Sequence, residues 1–432
     1  MSGIVLEGSM TGRAAVAARP VAYSWLVFAL TFGLLISDYM ARQVLNAVFP
    51  LLEAEWALSN AQLGTLSGVV ALMVGLLTFP LSLLADRLGR IRSLTAMAVM
   101  WSLATLLCGI AGSYQEMLVG RILVGVGEAA YGSVGIAVVV SVFPRSLRAT
   151  LSGAFMAGGL LGQVLGVGLG GRVAAIYGWR TAFIVIALLG LAIALLYPLL
   201  VRQRRMDEVR AALGEEDEES DRSRPSLKRL FAHKSLLSAY VGSGLQLYVA
   251  GALMAWLPTF FHRYYGLAIG DAAGRAALYL LAGGAGMIAC AMLSDRLAKK
   301  RPTAKYLLSA GYSLACAAAL FLAFALPTGS AQLAALGVAM FLAGATAGPA
   351  GAMVANLTPA RIHGTAFATL TLANNIFGLA PGPILTGRIA DAWGLLGALS
   401  LLPIASMAAA AIFLAGSRTY AADLDTHARP AA

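Results

Sequence analysis

The sequence predicts an all-α membrane protein of twelve transmembrane helices in two six-helix halves. Three observations carry this reading: twelve long apolar segments between short polar loops, a composition 59% hydrophobic and only 12% charged, and one long polar interruption near mid-chain. Ordinary soluble domains carry about 25% charged residues, so a soluble chain of this length would have too little charge to cover its surface.

A helix needs about 20 apolar residues to cross the hydrocarbon core. Candidate spans run over 22–49, 59–84, 92–112, 115–143, 148–175 and 180–201, then 235–261, 272–296, 303–327, 331–357, 360–389 and 394–416. These define an N-terminal half at 22–201, a linker at 202–234, a C-terminal half at 235–416, and tails at 1–21 and 417–432. Met1 to Pro20 shows no cleavage site after a short apolar core, so it reads as a tail rather than a signal peptide. Roughly 24 of the 31 Lys and Arg fall in the tails and even-numbered connections, which predicts cytoplasmic termini. The abundance of Arg, Ala and Gly points to a bacterial inner membrane. Within the linker, Glu215-Glu216-Asp217-Glu218-Glu219-Ser220-Asp221 reads as a solvated, mobile stretch. Ser226-Leu227-Lys228-Arg229-Leu230-Phe231 has the pattern of a short amphipathic surface helix.

Several function classes are excluded. The net charge of +11 is spread over many loops, which suits lipid headgroups and not nucleic acid. Cys108, Cys290 and Cys316 all fall in apolar spans and behave as small hydrophobes, so neither a disulfide framework nor a metal site is expected. No nucleotide-binding loop, zinc-hydrolase helix or nucleophile-base pair is present, and His233, His262, His363 and His427 are scattered over loops and tail. An enzyme and a bound cofactor are therefore not expected.

Charges inside the spans carry the functional signal. An ionisable side chain at mid-bilayer depth costs about 2.5 to 3.5 kcal/mol on insertion scales and marks a functional position by default. Asp38 and Arg42 lie one turn apart on the first span and are expected to form a local ion pair. Arg121 and Glu128 lie seven apart on the fourth, two turns along one face. Burial favours a neutral carboxyl and a neighbouring guanidinium an ionised one, so a carboxylate that moves relative to an arginine can carry a proton through a conformational cycle. Glu128 is the first candidate and Asp38 the second.

The halves echo each other, as in transporters built from repeats around a central site. Ala85-Asp86-Arg87-Leu88-Gly89-Arg90 follows the second span and Ser294-Asp295-Arg296-Leu297-Ala298-Lys299 follows the eighth. Asp86, Arg87, Gly89, Arg90, Asp295 and Arg296 are expected to act as a gate, with Asp86 capping a facing helix whose dipole favours negative charge. The first of these loops resembles the loop signature of the major facilitator superfamily, and Arg121 followed by Gly125 resembles its fourth-helix signature. Within that superfamily the chain resembles the Spinster lysolipid and sphingolipid transporters at Gly125-Val126-Gly127-Glu128-Ala129-Ala130-Tyr131, Gly178-Trp179-Arg180-Thr181-Ala182-Phe183 and Ala255-Trp256-Leu257-Pro258-Thr259-Phe260-Phe261. Two positions depart from the pattern. Ala41 stands where Spinster-like first helices carry an acid, leaving coupling to Asp38 or Glu128 unless position 41 has been engineered. Ser141 stands near where relatives carry an acid facing the loop arginines.

The resemblance implies a proton-coupled carrier of a lysophospholipid or sphingoid phosphate working by alternating access, in contact with protons and membrane lipids and acting as a monomer. A small organic anion or amphiphilic drug is the second substrate class, and a channel or lipid scramblase the alternative of a different kind. Polar and aromatic groups that interrupt apolar faces give the substrate-site candidates: Arg42, Arg121, Tyr131, Gln246, Tyr248, Trp256, Asn356, Asn374 and Asn375.

Overall fold

The computed structural model describes residues 10–213, 230–231, 233–359 and 362–428; the acidic run at 215–221 and most of the proposed surface helix at 226–231 lie outside the described residues. The first half comprises α1 (Met10–Ala47), α2 (Phe49–Trp56), α3 (Asn60–Leu88), α4 (Arg90–Ile110), α5 (Tyr114–Glu128), α6 (Tyr131–Ser141), α7 (Arg145–Tyr177) and α8 (Trp179–Leu200). Then come α9 (Gln203–Ala212), α10 (Lys234–Tyr265), α11 (Ile269–Ala298), α12 (Ala304–Ala325), α13 (Ser330–Ala343), α14 (Ala347–Leu357), α15 (His363–Asn374), α16 (Pro381–Leu399) and α17 (Leu402–Ala428). No strand occurs among the described residues.

Local sequence sets where these helices start and stop. Ser59 caps α3: its Oγ accepts from the Gln62 N–H at 3.2 Å while Gln62 Oε1 accepts from the Ser59 N–H at 3.0 Å, a reciprocal box that satisfies two otherwise orphaned donors. At its other end α3 turns into α4 through one residue, Gly89, at φ 90°. A side chain there would strain the backbone, which explains why a glycine accompanies the charges of the Asp86 loop.

Among the described residues eleven helical spans are long and apolar enough to cross a membrane; the broken stretch at 363–399, eleventh of twelve in chain order, is not one of them. The fourth is α5 and α6 in line, interrupted at Ala129 and Ala130; the tenth is α13 and α14, interrupted at Gly344 to Thr346. The same break recurs at the equivalent place in each half, as expected of a repeated six-helix unit. The eleventh span is composite: α15, a π-helical turn at Asn375–Leu379, then α16. Such turns leave backbone groups out of the regular ladder and gather at functional places.

The twelfth span departs from the expected 394–416. Gly394 adopts φ 75° and kinks α16, which continues to Leu399 before α17 opens at Leu402. Residues 393–402 are apolar throughout apart from Ser400, so hydropathy alone holds no boundary there. At its far end α17 continues as helix past 416, with Tyr420 fully buried against Tyr306. The start of the linker is also helical: α9 buries Met206 and Val209 in the first half's core.

Between halves, α7 packs on α11, α3 on α16, and α1 on α10. Along α3, a Cβ on Gly64 would overlap the Pro383 carbonyl and one on Gly68 the Ala380 carbonyl, so the glycines let two backbones of opposite halves touch.

Candidate functional site

Among the described residues, hydrogen bonds and ion pairs join the halves at one end. Asp391 on α16 sits on the first turn of α3, where Oδ1 accepts from the Asn60 N–H at 2.7 Å and Nδ2 at 2.9 Å, and Oδ2 accepts from the Ala61 N–H at 2.9 Å. A carboxylate placed on a helix N-terminus satisfies orphan donors and complements the dipole. Beside it, Arg263 on α10 donates to Asn60 Oδ1 at 3.0 Å and to Glu53 Oε2 at 2.6 Å. Phe49 packs on Trp256 below this cluster, ring centroids 5.1 Å apart.

The Asp86 end is different. Asp86, Arg87, Gly89 and Arg90 are exposed, and no hydrogen bond or ion pair among the described residues joins the halves there. Among the described residues Asp86 caps no helix in this conformation; Asp391 makes such a cap at the opposite end. Asp295 is held by Lys305 of the same half at 2.7 Å, and Arg296 is exposed.

A cavity of about 260 Å3 lies between the halves. Its polar wall comes from α1, α3 and α7: Tyr39, Arg42, Gln43, Asn46, Ser67 and Gln163. Its opposite wall is apolar, with Leu247, Met254, Leu280, Met287, Met340 and Pro383.

Arg42 is the one ionisable group other than Tyr39 on that lining, and it spends two donors on a single atom. Nε and Nη2 reach Glu128 Oε2 at 2.9 and 2.6 Å, with the Glu128 side chain fully buried. The expected Asp38–Arg42 ion pair is not what forms, since the guanidinium crosses to the fourth span. Asp38 is 4% exposed, and each acid keeps one buried oxygen, Asp38 Oδ1 and Glu128 Oε1, without a hydrogen-bond partner among the described residues. Two buried acids thus stand beside one cation, which bonds only Glu128.

Arg121 does not face Glu128. Its guanidinium is instead spent on three carbonyls: Leu66 at 3.1 Å, Ala41 at 3.0 Å and Arg42 at 3.0 Å. It ties the first, second and fourth spans together and is completely buried.

Most other substrate-site candidates are also packed away from the cavity. Tyr131 donates to the Thr31 carbonyl at 2.6 Å and stacks edgewise on Trp101. Trp256 Nε1 donates to the Pro383 carbonyl at 3.2 Å, and Gln246 accepts from Ser406 at 3.1 Å. Asn375 donates to the Thr371 carbonyl at 2.9 Å and Asn356 to Tyr420 at 3.1 Å. Tyr248 and Asn374 are half-buried and do not line the cavity either. Of the nine candidates only Arg42 lines it. Missing from the sequence reading were Tyr39, Gln43, Asn46, Ser67 and Gln163. The first three had a signal: with Arg42 they fall at i, i+3, i+4 and i+7, one polar stripe on an apolar helix.

The sequence profile of the Major Facilitator Superfamily matches residues 31–376. A probable L-galactonate transporter of Escherichia coli (strain K12) is 28% identical over 62% of this chain and 61% of its own length. The gallate transporter of Pseudomonas putida is 28% identical over 64% of this chain and 67% of its own. The chain therefore spans about three fifths of the first of these relatives. Among solved structures, a bacterial homologue of the human lysosomal transporter Spinster, in an inward-facing and occupied conformation, superposes with a TM-score of 0.81 at 22% identity, covering 93% of this chain and 98% of that one.

Proposed function

Since the chain belongs to the Major Facilitator Superfamily, we propose that it is a proton-linked secondary transporter of a small organic anion, working by alternating access as a monomer. The whole cavity lies within one chain, which supports the monomer. The Asp86 end, with its arginines, faces the cytoplasm of a bacterial cell in this reading, and the conformation is inward-open.

The carrying observation is the Arg42–Glu128 contact at the cavity wall. An incoming carboxylate competes with Glu128 for Arg42. Glu128 surrenders the guanidinium at least cost when it takes up a proton, because a neutral carboxyl needs no buried counter-charge. Asp38, Glu128 and Arg42 sum to a net charge of −1 when all are ionised; adding an anion and a proton together leaves that sum unchanged. Anion and proton then travel in the same direction, and Asp38 is the neighbouring acid able to share the proton.

Size favours a compact anion. Pockets for drug-sized ligands enclose about 300 to 1,000 Å3, so 260 Å3 suits one carboxylate and a small body and leaves no room for a lipid tail unless it leaves between helices. The apolar wall and the Spinster-like fold support a second reading, an amphiphile such as a lysophospholipid or sphingoid phosphate. Proteoliposomes tested with labelled L-galactonate, gallate and lysophosphatidic acid under an imposed pH gradient separate the two. Gradient-driven accumulation of either small acid supports the first reading; accumulation of the lysolipid alone replaces it with the second. Flux that rises linearly with substrate and ignores the gradient makes the chain a channel or scramblase.

A further inference from the structure

We propose that Gln43 is a specificity-determining residue that reads a second acceptor oxygen on the transported anion, so that the cavity selects hydroxy or oxo acids over plain hydrocarbon carboxylates. The inference rests on the organic-anion reading above and deepens it.

Arg42 and Gln43 are consecutive on α1 and both line the cavity. Gln43 is 5% exposed and Asn46 3%, so neither amide is an ordinary solvated surface group. Ser67 Oγ on α3 donates to Asn46 Oδ1 at 2.9 Å, and Asn46 Nδ2 donates to Gln43 Oε1 at 2.6 Å. This relay runs in one direction, from hydroxyl to amide to amide. With Oε1 occupied, the remaining polar group of Gln43 is its Nε2 amino group, which makes no hydrogen bond among the described residues and belongs to a side chain on the cavity lining. Arg42 is in the same position, because Nε and Nη2 are spent on Glu128 and Nη1 makes no hydrogen bond among the described residues.

Two adjacent residues thus offer the cavity donors and no acceptor. A carboxylate at Arg42 satisfies one of them. Once Glu128 yields the guanidinium, its fork takes both oxygens of the ligand carboxylate, so Gln43 needs a further oxygen on the ligand, and a hydroxyl or carbonyl oxygen supplies it. A hydrocarbon acid of the same skeleton leaves the amide N–H groups desolvated and unpaired, the situation in which a polar site rejects an analogue most strongly. Ser67 touches Gln43 only through Asn46, so its role is to hold the amide orientation; without it the two amides are free to turn over.

The test is isothermal calorimetry on the purified full chain with two matched pairs, L-galactonate against hexanoate and gallate against benzoate. Wild type is expected to bind at least one oxygenated acid about tenfold or more tightly than its partner. Gln43→Met, similar in length but without the N–H groups, is expected to erase that preference while changing affinity for the hydrocarbon acid by less than about twofold. Ser67→Ala is expected to lose part of the preference in the same direction, with a melting temperature close to wild type. An undiminished preference in folded Gln43→Met overturns the proposal, as does equal affinity within both pairs in wild type. If Gln43→Met does not fold, Ser67→Ala decides, and an unchanged preference there is equally fatal. Binding of all four acids that depends on Arg42 but not on Gln43 sinks this inference and leaves the organic-anion reading intact; binding of none sinks both.

Discussion

Arg42 gives two donors to one oxygen of Glu128, at 2.9 and 2.6 Å, although Asp38 lies a single turn away on its own helix. The forked geometry of a guanidinium is what permits this while Nη1 stays directed elsewhere. Arg42→Lys keeps the charge and removes the fork, so an incoming carboxylate that displaces Glu128 meets a point charge where the guanidinium offers two parallel N–H groups. Calorimetric affinity for a bound organic anion is expected to fall at least about tenfold, roughly 1.4 kcal/mol. Unchanged affinity would take the guanidinium out of the site.

Arg121 behaves as a fastener. Arg121→Met removes the donors of three buried carbonyls on the first and second spans. Those carbonyls keep their own helical partners, so the loss is of three charge-assisted hydrogen bonds, each contributing about 1.5 to 3 kcal/mol, and detergent-solubilised protein is expected to melt below wild type. A ligand-binding role without a fastening one predicts lost affinity with an unchanged melting temperature.

Asp391 holds the halves closed at its end through three hydrogen bonds to the start of α3. Loss of a helix cap costs about 0.5 to 2 kcal/mol, which shifts a two-state equilibrium by about 2- to 30-fold. Spin labels flanking the Asp391 end are expected to report a larger population of long distances in Asp391→Ala. Asp86→Asn breaks no contact in this conformation, so its short-distance population at the Asp391 end is expected to be no smaller than in wild type.

Glu55, on α2 outside the spans, is held below its ordinary pKa of 4.5 by hydrogen bonds from Arg180 and from Trp179. A depressed carboxyl stabilises the fold above its unfolded pKa and stops doing so as pH falls through the folded value. Its partial exposure keeps the effect small. The melting-temperature gap between wild type and Glu55→Gln is expected to be present at pH 7 and to close as the pH drops below about 4.5. A gap that widens on acidification contradicts this linkage.

Apolar length made the spans legible, and the intramembrane charges announced Asp38, Arg42, Arg121 and Glu128 as unusual. Their partners were not legible, because an ion pair between helices depends on which faces meet. Arg42 to Glu128 spans 86 positions, a relationship no helical spacing encodes. Arg121 and Glu128 share a helix face, yet the Arg121 guanidinium goes to carbonyls of the first and second spans, which the spacing does not encode. The polar stripe of Tyr39, Arg42, Gln43 and Asn46 was present in the spacing, whereas Ser67 and Gln163 join the cavity only through tertiary packing. Gln246, Trp256 and Asn375 show the reverse error, since polar or aromatic groups in apolar spans also serve to bond one helix to another.

The most direct test is transport by Glu128→Gln, which mimics a permanently protonated Glu128. Proteoliposomes loaded with whichever of L-galactonate or gallate binds more tightly give two readouts, exchange of label at equal pH and net accumulation under a pH gradient. Exchange needs only alternating access, whereas uphill movement needs a proton gained on one side and lost on the other. The account predicts that Glu128→Gln keeps exchange and loses accumulation, with Arg42 now free for substrate. Accumulation at the wild-type level in Glu128→Gln would contradict it and move the proton to Asp38.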